Sequence, residues 1–267
     1  MLKKVYVVSV SITAALVYCL WNWFSLAESP LANDSVCDVL SAVVRPIIFV
    51  LSSPTLFLIT QKILLILIDR ITCVKKLFFG KEYVEGYWVG YVEVKDGENY
   101  KPCFMIEEFE QTTTDICVYG KGYDETGDIY VTWSSSGHPV LLKGRNLAFA
   151  YTDKCYGGRY DASIYEGYSN YTLRSYKRNI LRTPKILDGY IVNHTREDST
   201  NKIAILKKID NPQKNYLKKC QNQKKSLDKE AWIDEYLLSE AKKLWEDHNK
   251  RIKHGQDTKK ASEEEVS

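Results

Sequence analysis

Residues 5 to 24 carry no formal charge over twenty consecutive positions, VYVVSVSITAALVYCLWNWF, and this run limits the possible folds more than any other feature. A helix of that length crosses a hydrocarbon core of roughly 30 Å, and Trp21 and Trp23 suit a membrane interface. The competing interpretation is a signal peptide, because two lysines precede the run and Ser25-Leu26-Ala27 resembles a small-x-small cleavage site. The run exceeds the usual signal-peptide core of roughly 7 to 15 residues, so we expect a transmembrane helix.

A second apolar segment, residues 47 to 68, is interrupted by Ser52-Ser53-Pro54 and contains Lys62. The alternatives to a full span are a shorter span and a buried hairpin helix. A lysine near mid-membrane costs roughly 2.5–3.5 kcal/mol on insertion scales, so it usually faces a partner helix or a wet cavity. Lys62 can also snorkel towards the nearer surface. We therefore expect a membrane anchor over residues 1–81, with Lys62 as a candidate membrane switch.

The charges that flank the two segments predict their orientation, because cytoplasmic ends carry the excess of Lys and Arg. Basic residues precede the first segment and follow the second (Lys3, Lys4, Arg70, Lys75, Lys76 and Lys81), whereas the loop between has Arg45 against three acids. Both termini are therefore expected in the cytoplasm.

From residue 82 to about 215 the sequence changes to short period-two segments rich in Tyr, Val, Ile and Thr, separated by Gly, Asp and Asn. This pattern predicts ten strands, near residues 87–94, 103–109, 114–119, 128–134, 140–143, 147–151, 159–165, 171–176, 187–193 and 202–209. We expect about eight of them to form an antiparallel, lipocalin-like minimal barrel, because closing a sheet removes its exposed edges.

The barrel region contains fifteen of the nineteen tyrosines. An eight-stranded barrel is either filled by side chains or holds one small ligand. Aromatic faces stack on nucleobases, and arginine forks match phosphate oxygens, although tyrosine is also a common covering of sheet surfaces. On these chemical grounds the candidate ligand-binding residues are Trp88, Tyr119, Trp133, Tyr151, Arg159, Tyr171 and Arg174.

The sequence gives little sign of catalysis. The four histidines have no metal-ligand spacing, no nucleophile elbow or phosphate loop is present, and seven irregularly spaced cysteines suit a reducing compartment. The acidic cluster Glu107, Glu108 and Glu110 is interpreted as a solvated strand end. We therefore predict neither an enzyme nor a cofactor or metal site. The net charge of +3 argues against a DNA- or RNA-coating surface.

An amphipathic helix is predicted within residues 216–254, with Ser226 as its N-cap. It can pack on the barrel's own outer wall or open end, or on a neighbouring protomer. Residues 255–267 are polar and predicted to be a disordered tail.

The order of parts, two membrane helices followed by a barrel that begins Gly86-Tyr-Trp-Val-Gly90, resembles the two-transmembrane β-barrel effectors associated with CD-NTases in bacterial anti-phage signalling. Further points of likeness are Trp133-Ser-Ser135, the strand Leu147–Tyr151 and Leu187-Asp-Gly-Tyr190. The likeness covers roughly residues 1–209 and rests more on architecture than on these motifs.

The resemblance implies that the barrel binds a cyclic di- or oligonucleotide made by a CD-NTase-like synthase. It implies also that the membrane segments then self-associate and disrupt the inner membrane, killing or arresting the cell. A related design uses the nucleotide to hold the effector silent, and the sequence does not choose between the two. The rivals are a membrane-tethered lipocalin-like carrier or sensor of a small apolar ligand, and a scaffold with a packed barrel.

Overall fold

A computed structural model of the chain describes residues 2–26, 35–96, 99–156, 164–175, 183–193, 202–216 and 232–264. The chain divides into two compact units, of which the first comprises Met1–Phe78 with Thr112–Thr114, and the second Phe79–Gln111 with Asp115–Ser267.

Three helices lie in the N-terminal part: α1 (Leu2–Leu26), α2 (Ser35–Arg70) and α3 (Thr72–Phe79). Within the described residues, one stretch, Val5–Trp23 in α1, is long and apolar enough to cross a membrane, although a signal sequence near an N-terminus would meet the same criteria. This stretch coincides with the first predicted segment. Helix α2 contains the second predicted segment, whose crossing of a membrane stays a prediction.

Helices α1 and α2 pack against each other. Val5, Ser9 and Thr13 are buried on α1, and their four-residue spacing places them on one face of the helix. Tyr6 contacts Phe57 of α2 edge to face, with ring centroids 5.6 Å apart. Small side chains at such an interface let two helix backbones approach closely.

The second unit begins with a 3-10 turn (Gly80–Glu82) and contains nine strands: β1 (Gly86–Asp96), β2 (Asn99–Gln111), β3 (Ile116–Tyr123), β4 (Ile129–Ser134), β5 (Val140–Lys143), β6 (Asn146–Cys155), β7 (Ile164–Arg174), β8 (Ile186–Asn193) and β9 (Lys202–Ile209). Two helices follow, a short α4 (212–216) and α5 (Trp232–Glu264).

All pairings between these strands are antiparallel, in the order β4-β3-β2-β1-β9-β8-β7-β6-β5. An additional pairing of β4 with β6 closes a ring of eight strands and leaves β5 as a short extension on β6. The predicted eight-stranded antiparallel barrel is confirmed.

Strands β5 and β9 have the predicted bounds, but the prediction was wrong at β7. A single strand, Ile164–Arg174, replaces the two predicted at 159–165 and 171–176, although residues 159–163 lie outside the described part of the chain. Gly167 lies inside this strand, where a Cβ would stand 2.3 Å from the Tyr151 ring. The glycine is a packing requirement of the barrel interior.

Large aromatic side chains fill the barrel because small residues face them. A Cβ on Gly120 would lie 1.9 Å from the Trp133 ring, and one on Gly122 would lie 2.5 Å from Val131. Both glycines leave room for β4 side chains on the inner face. The interior thus alternates large and small positions, as narrow barrels do.

Helix α5 packs on the outer face of β1 and β2. Its residues Tyr236, Leu237 and Ala241 are buried in one cluster with Tyr91 and Phe104. The barrel's own wall is therefore the surface that this amphipathic helix covers. The helix runs to Glu264, beyond the predicted end at 254 and into the predicted tail, whereas the predicted N-cap Ser226 lies outside the described residues.

Candidate functional site

Two of the predicted ligand-binding residues, Trp88 and Tyr171, are fully buried inside the barrel. The Trp88 indole N–H donates a 2.7 Å hydrogen bond to the Val84 carbonyl, and the Tyr171 hydroxyl donates a 3.1 Å bond to Glu107 Oε1. Both rings pack against neighbouring aromatic rings. These two residues hold the core together and do not face a ligand-sized space.

Glu107 lies inside the barrel, fully buried, so its interpretation as part of a solvated strand end was wrong. Burial raises the pKa of the Glu107 carboxyl to about 8, although hydrogen bonding by Tyr171 and Trp133 favours the ionised form. The Trp133 indole N–H lies towards this carboxyl without reaching normal hydrogen-bond geometry. Near pH 7 the protonated acid therefore predominates.

One end of the barrel interior is closed by side chains. Gln111 accepts a 2.9 Å hydrogen bond from the Val84 N–H and donates another of 2.9 Å to the Glu82 carbonyl. The buried Lys208 ammonium stands 4.1 Å from the centre of the Tyr83 ring. These buried side chains fill this end of the interior, which we call the closed end.

The opposite end contains a cavity of about 120 Å³, lined in part by Trp133, Tyr151, Asp153 and Ser169. A dry engineered cavity of roughly 150 Å³ is known to hold benzene. The space inside the barrel is therefore small even for a single nucleobase and far too small for a cyclic oligonucleotide.

A cavity of about 560 Å³ lies on the outer face of the barrel. We call it the strand groove. Its walls come from β1, β2, β3, β4, β6 and the start of α5, and its polar and aromatic residues include Tyr87, Glu108, Tyr119, Lys121, Thr132, Ser134, Thr152, Lys154 and Asp234. Pockets of roughly 300–1,000 Å³ accept ligands of drug-like size.

Aromatic and cationic groups meet in the strand groove. Tyr119 is 41% exposed, and Lys121, two residues further along β3, shares its face. The Lys121 ammonium lies 2.6 Å from Asp234 Oδ2 of α5. Lys154 of β6 stands 5.3 Å from the centre of the Tyr156 ring. The groove therefore offers aromatic faces and two ammonium groups beside the carboxylates of Glu108, Asp153 and Asp234, of which Asp234 already pairs with Lys121.

The strand groove brings together only some of the predicted residues. Tyr119 and Trp133 line it, and Trp133 and Tyr151 both line the interior cavity. Arg174 lies on the outer face of β7, in neither space, where it pairs with Asp188 at 2.5 Å. Arg159 lies outside the described residues.

Lys121 and Lys154, which line the strand groove, were not among the predicted ligand-binding residues. Lys121 follows Tyr119 by two residues, so strand alternation could have placed the two together. The placement of Lys154 in the groove depends on the pairing of β4 with β6, which brings Thr132 opposite Lys154. That pairing has no signal in the local sequence.

Lys62 is exposed on α2 within the first unit. Among the side chains that the structure describes, no three His, Cys, Asp or Glu residues are grouped so that they could hold a metal ion.

Comparisons with protein-family models, with curated proteins and with solved structures each gave no match to this chain.

Proposed function

We propose that the chain is a membrane-anchored effector of bacterial anti-phage defence, and that a cyclic di- or oligonucleotide controls it by binding in the strand groove. The observation that carries the proposal is the groove itself, about 560 Å³ of space with tyrosine faces, two lysines and several hydroxyls. The resemblance to effectors associated with CD-NTases supplies the class of ligand and the idea of a nucleotide synthase as partner.

The groove's chemistry suits a nucleotide. Tyr87 and Tyr119 offer rings on which bases can stack. Lys121 and Lys154 offer ammonium groups for phosphate oxygens, and Thr132, Ser134 and Thr152 offer hydroxyl donors. The ligand-binding set proposed here keeps Tyr119 and replaces the two arginines of the sequence prediction with lysines.

A switch follows from the Lys121–Asp234 ion pair. A phosphate that bound Lys121 would compete with Asp234, the residue through which the start of α5 reaches β3. A ligand shifts an equilibrium only if its affinity differs between the two states. Competition for Lys121 provides that difference, because the ligand binds more tightly when Asp234 has left.

The membrane part of the proposal is a two-helix anchor in the inner membrane, with α1 and the second half of α2 as spans and both termini in the cytoplasm. Its support is the apolar stretch Val5–Trp23 and the packing of α1 on α2. Lys62 is exposed on α2 and available to a second copy. Self-association of these helices would then disrupt the bilayer.

The rival function, carriage of a small apolar molecule, receives less support. A lipocalin-like carrier needs an apolar interior cavity, whereas the cavity here measures about 120 Å³ and includes Asp153 and Ser169 in its wall.

Isothermal titration calorimetry on the full chain in detergent micelles tests the ligand. We expect one of a panel of cyclic di- and trinucleotides to bind, and Tyr119→Ala and Lys154→Ala each to weaken it about tenfold, equivalent to about 1.4 kcal/mol. Lys143→Ala, which removes an exposed lysine of β5 outside the groove, is the matched control. Binding by no cyclic nucleotide, or unaltered affinity in both variants, would falsify the proposal.

Growth curves of cells that express the chain together with a nucleotide synthase test the anchor. Lys62→Leu should change the severity of growth arrest while the calorimetric affinity stays that of the wild type. An unchanged growth phenotype would contradict the switch and support the alternative, in which Lys62 only snorkels towards the nearer membrane surface.

A further inference from the structure

A second outer groove lies on the other side of α5, between that helix and strands β7, β8 and β9. We call it the helix groove. It measures about 440 Å³, and its charged or polar lining consists of Tyr91, Arg174, Asp188, Lys207, His248 and Arg251, together with Asp247. It shares no lining residue with the strand groove.

Positive charge exceeds negative charge in the helix groove. Arg174 and Asp188 neutralise each other at 2.5 Å. Lys207 and Arg251 remain, and neither has an ionic partner within the described part of the chain. Asp247 opposes them, and His248 Nε2 lies 3.8 Å from the Glu93 carboxylate. The groove therefore attracts an anion.

Tyr91, which is one of the residues that line the same space, has a buried hydroxyl. Tyr91 is only 1% exposed, and its hydroxyl oxygen has no hydrogen-bond partner among the described residues. Its ring is fixed against Trp245 and His248 of α5, with centroid distances of 4.8 and 5.6 Å. Burial and the nearby Glu93 raise the pKa of the Tyr91 hydroxyl, so it remains a donor at neutral pH. A buried donor without an acceptor is unfavourable, and a bound acceptor would relieve this.

The arrangement favours phosphate over carboxylate. Arg174 uses one guanidinium nitrogen on Asp188, and a guanidinium has five N–H donors in all. Donors then approach from β1, β7, β9 and α5, that is, from several sides of one space. A tetrahedral phosphate can accept from several directions at once, which a planar carboxylate does less well.

We propose that the helix groove is a phosphate-ester site, in which Tyr91, Lys207 and Arg251 bind the phosphate and so fasten α5 to the barrel. The ester can be a soluble metabolite or a lipid headgroup, since the groove's chemistry recognises the phosphate. The site is independent of the nucleotide proposed for the strand groove, so either assignment can fail alone.

The test uses the full chain in nanodiscs of phosphatidylcholine, with hydrogen exchange of residues 244–251 as the readout. We expect sn-glycerol 3-phosphate, or else phosphatidylglycerol added to the nanodisc, to slow exchange there about tenfold. Protection by the soluble ester in pure phosphatidylcholine identifies a metabolite, and protection by phosphatidylglycerol alone identifies a lipid. No protection by either probe overturns the proposal.

Three variants locate the binding. The double variant Lys207→Ala/Arg251→Ala should lose the protection, and Tyr91→Phe should weaken binding about three- to tenfold, the usual effect of one hydrogen bond. Tyr91→Phe should also leave the free protein as stable as the wild type or more so, because it removes an unpartnered hydroxyl. Lys243→Ala, on α5 but paired with Glu240 outside the groove, and the exposed Arg145→Ala are the controls. Protection that survives in the double variant places the phosphate elsewhere and refutes the assignment.

Discussion

The inner and outer faces of the barrel wall are made by alternate residues of the same strands, yet they differ in packing and in charge. On β2 the inner face carries Met105, Glu107 and Phe109, all buried in the barrel. The outer face carries Phe104 and Ile106, which pack under α5. The inside is filled and hydrogen-bonded, whereas the outside has two grooves with charged side chains.

Inner and outer positions of such a small barrel tolerate substitution to different degrees. Inner positions are coupled through shared rings and glycines, so a change at one of them affects its neighbours. Side chains at outer positions in the grooves are solvated, and each contributes little to the free energy of unfolding. They can therefore vary with little effect on stability. We expect inner substitutions to change the free energy of unfolding and outer ones to change binding.

The largest effect is expected from Trp88→Ala. The fully buried indole packs against Phe109, and its N–H bonds the Val84 carbonyl. Truncation should lower the free energy of unfolding by about 3–5 kcal/mol, measured by urea denaturation followed by circular dichroism. Tyr119→Ala on the outer face should change it by about 0.5 kcal/mol or less. Equal effects of the two substitutions would abolish the distinction between the faces.

The next effect is a pH dependence due to Glu107. Its pKa is about 8 in the folded barrel against 4.5 ordinarily. Between these values the folded state binds a proton that the unfolded state has released, so stability falls as pH rises from about 4.5 to 8, by a few kcal/mol in total. Glu107→Gln cannot ionise and should flatten this slope in denaturation series, whereas the exposed Glu110→Gln should leave it unchanged. A slope that persists in Glu107→Gln belongs to other groups.

A smaller effect is expected from Gln111→Ala at the closed end. The substitution leaves the Val84 N–H and the Glu82 carbonyl without their 2.9 Å partners. Loss of about 2 kcal/mol is expected, because unsatisfied buried groups are unfavourable. Thermal unfolding measures it, with the exposed Gln213→Ala as control. A loss no greater than the control's would show that this end is not sealed by Gln111.

The smallest effect is expected on the outer face, at the ion pair of Lys121 and Asp234. Their side chains are 44% and 33% exposed, so solvent screens the attraction. A double-mutant cycle with Lys121→Ala and Asp234→Ala should give a coupling of about 0.2–1 kcal/mol that shrinks as salt is raised. A coupling larger than that of the buried inner-face pairs would contradict the expectation that contacts on the outer face contribute less to stability.

The barrel itself was predictable because strand alternation is a local property of the sequence. The same rule places Tyr171 and Arg174, which are three residues apart, on opposite sides of β7. It could also have shown that Glu107 shares the buried face of Met105 and Phe109. The error at Glu107 came from weighing the residue type without its place in the strand alternation.

The strand groove was not predictable from local patterns. It depends on the register between strands distant in sequence, such as Thr132 opposite Lys154, and on the docking of α5. The need for a glycine at position 167 is equally non-local, because the ring that requires it, Tyr151, lies on another strand.

The pairing of β1 with β9 affects how the chain is made. Val92 of β1 lies opposite Ala204, so the first strand leaves the ribosome long before its last partner exists. At roughly 5–20 residues per second, synthesis of the intervening hundred or so residues takes about 5–20 s. Throughout that interval one edge of β1 is without its strand, while the apolar segments of α1 and α2 have already emerged. Nascent chains of this protein should therefore depend on chaperones that shield strand edges and apolar segments.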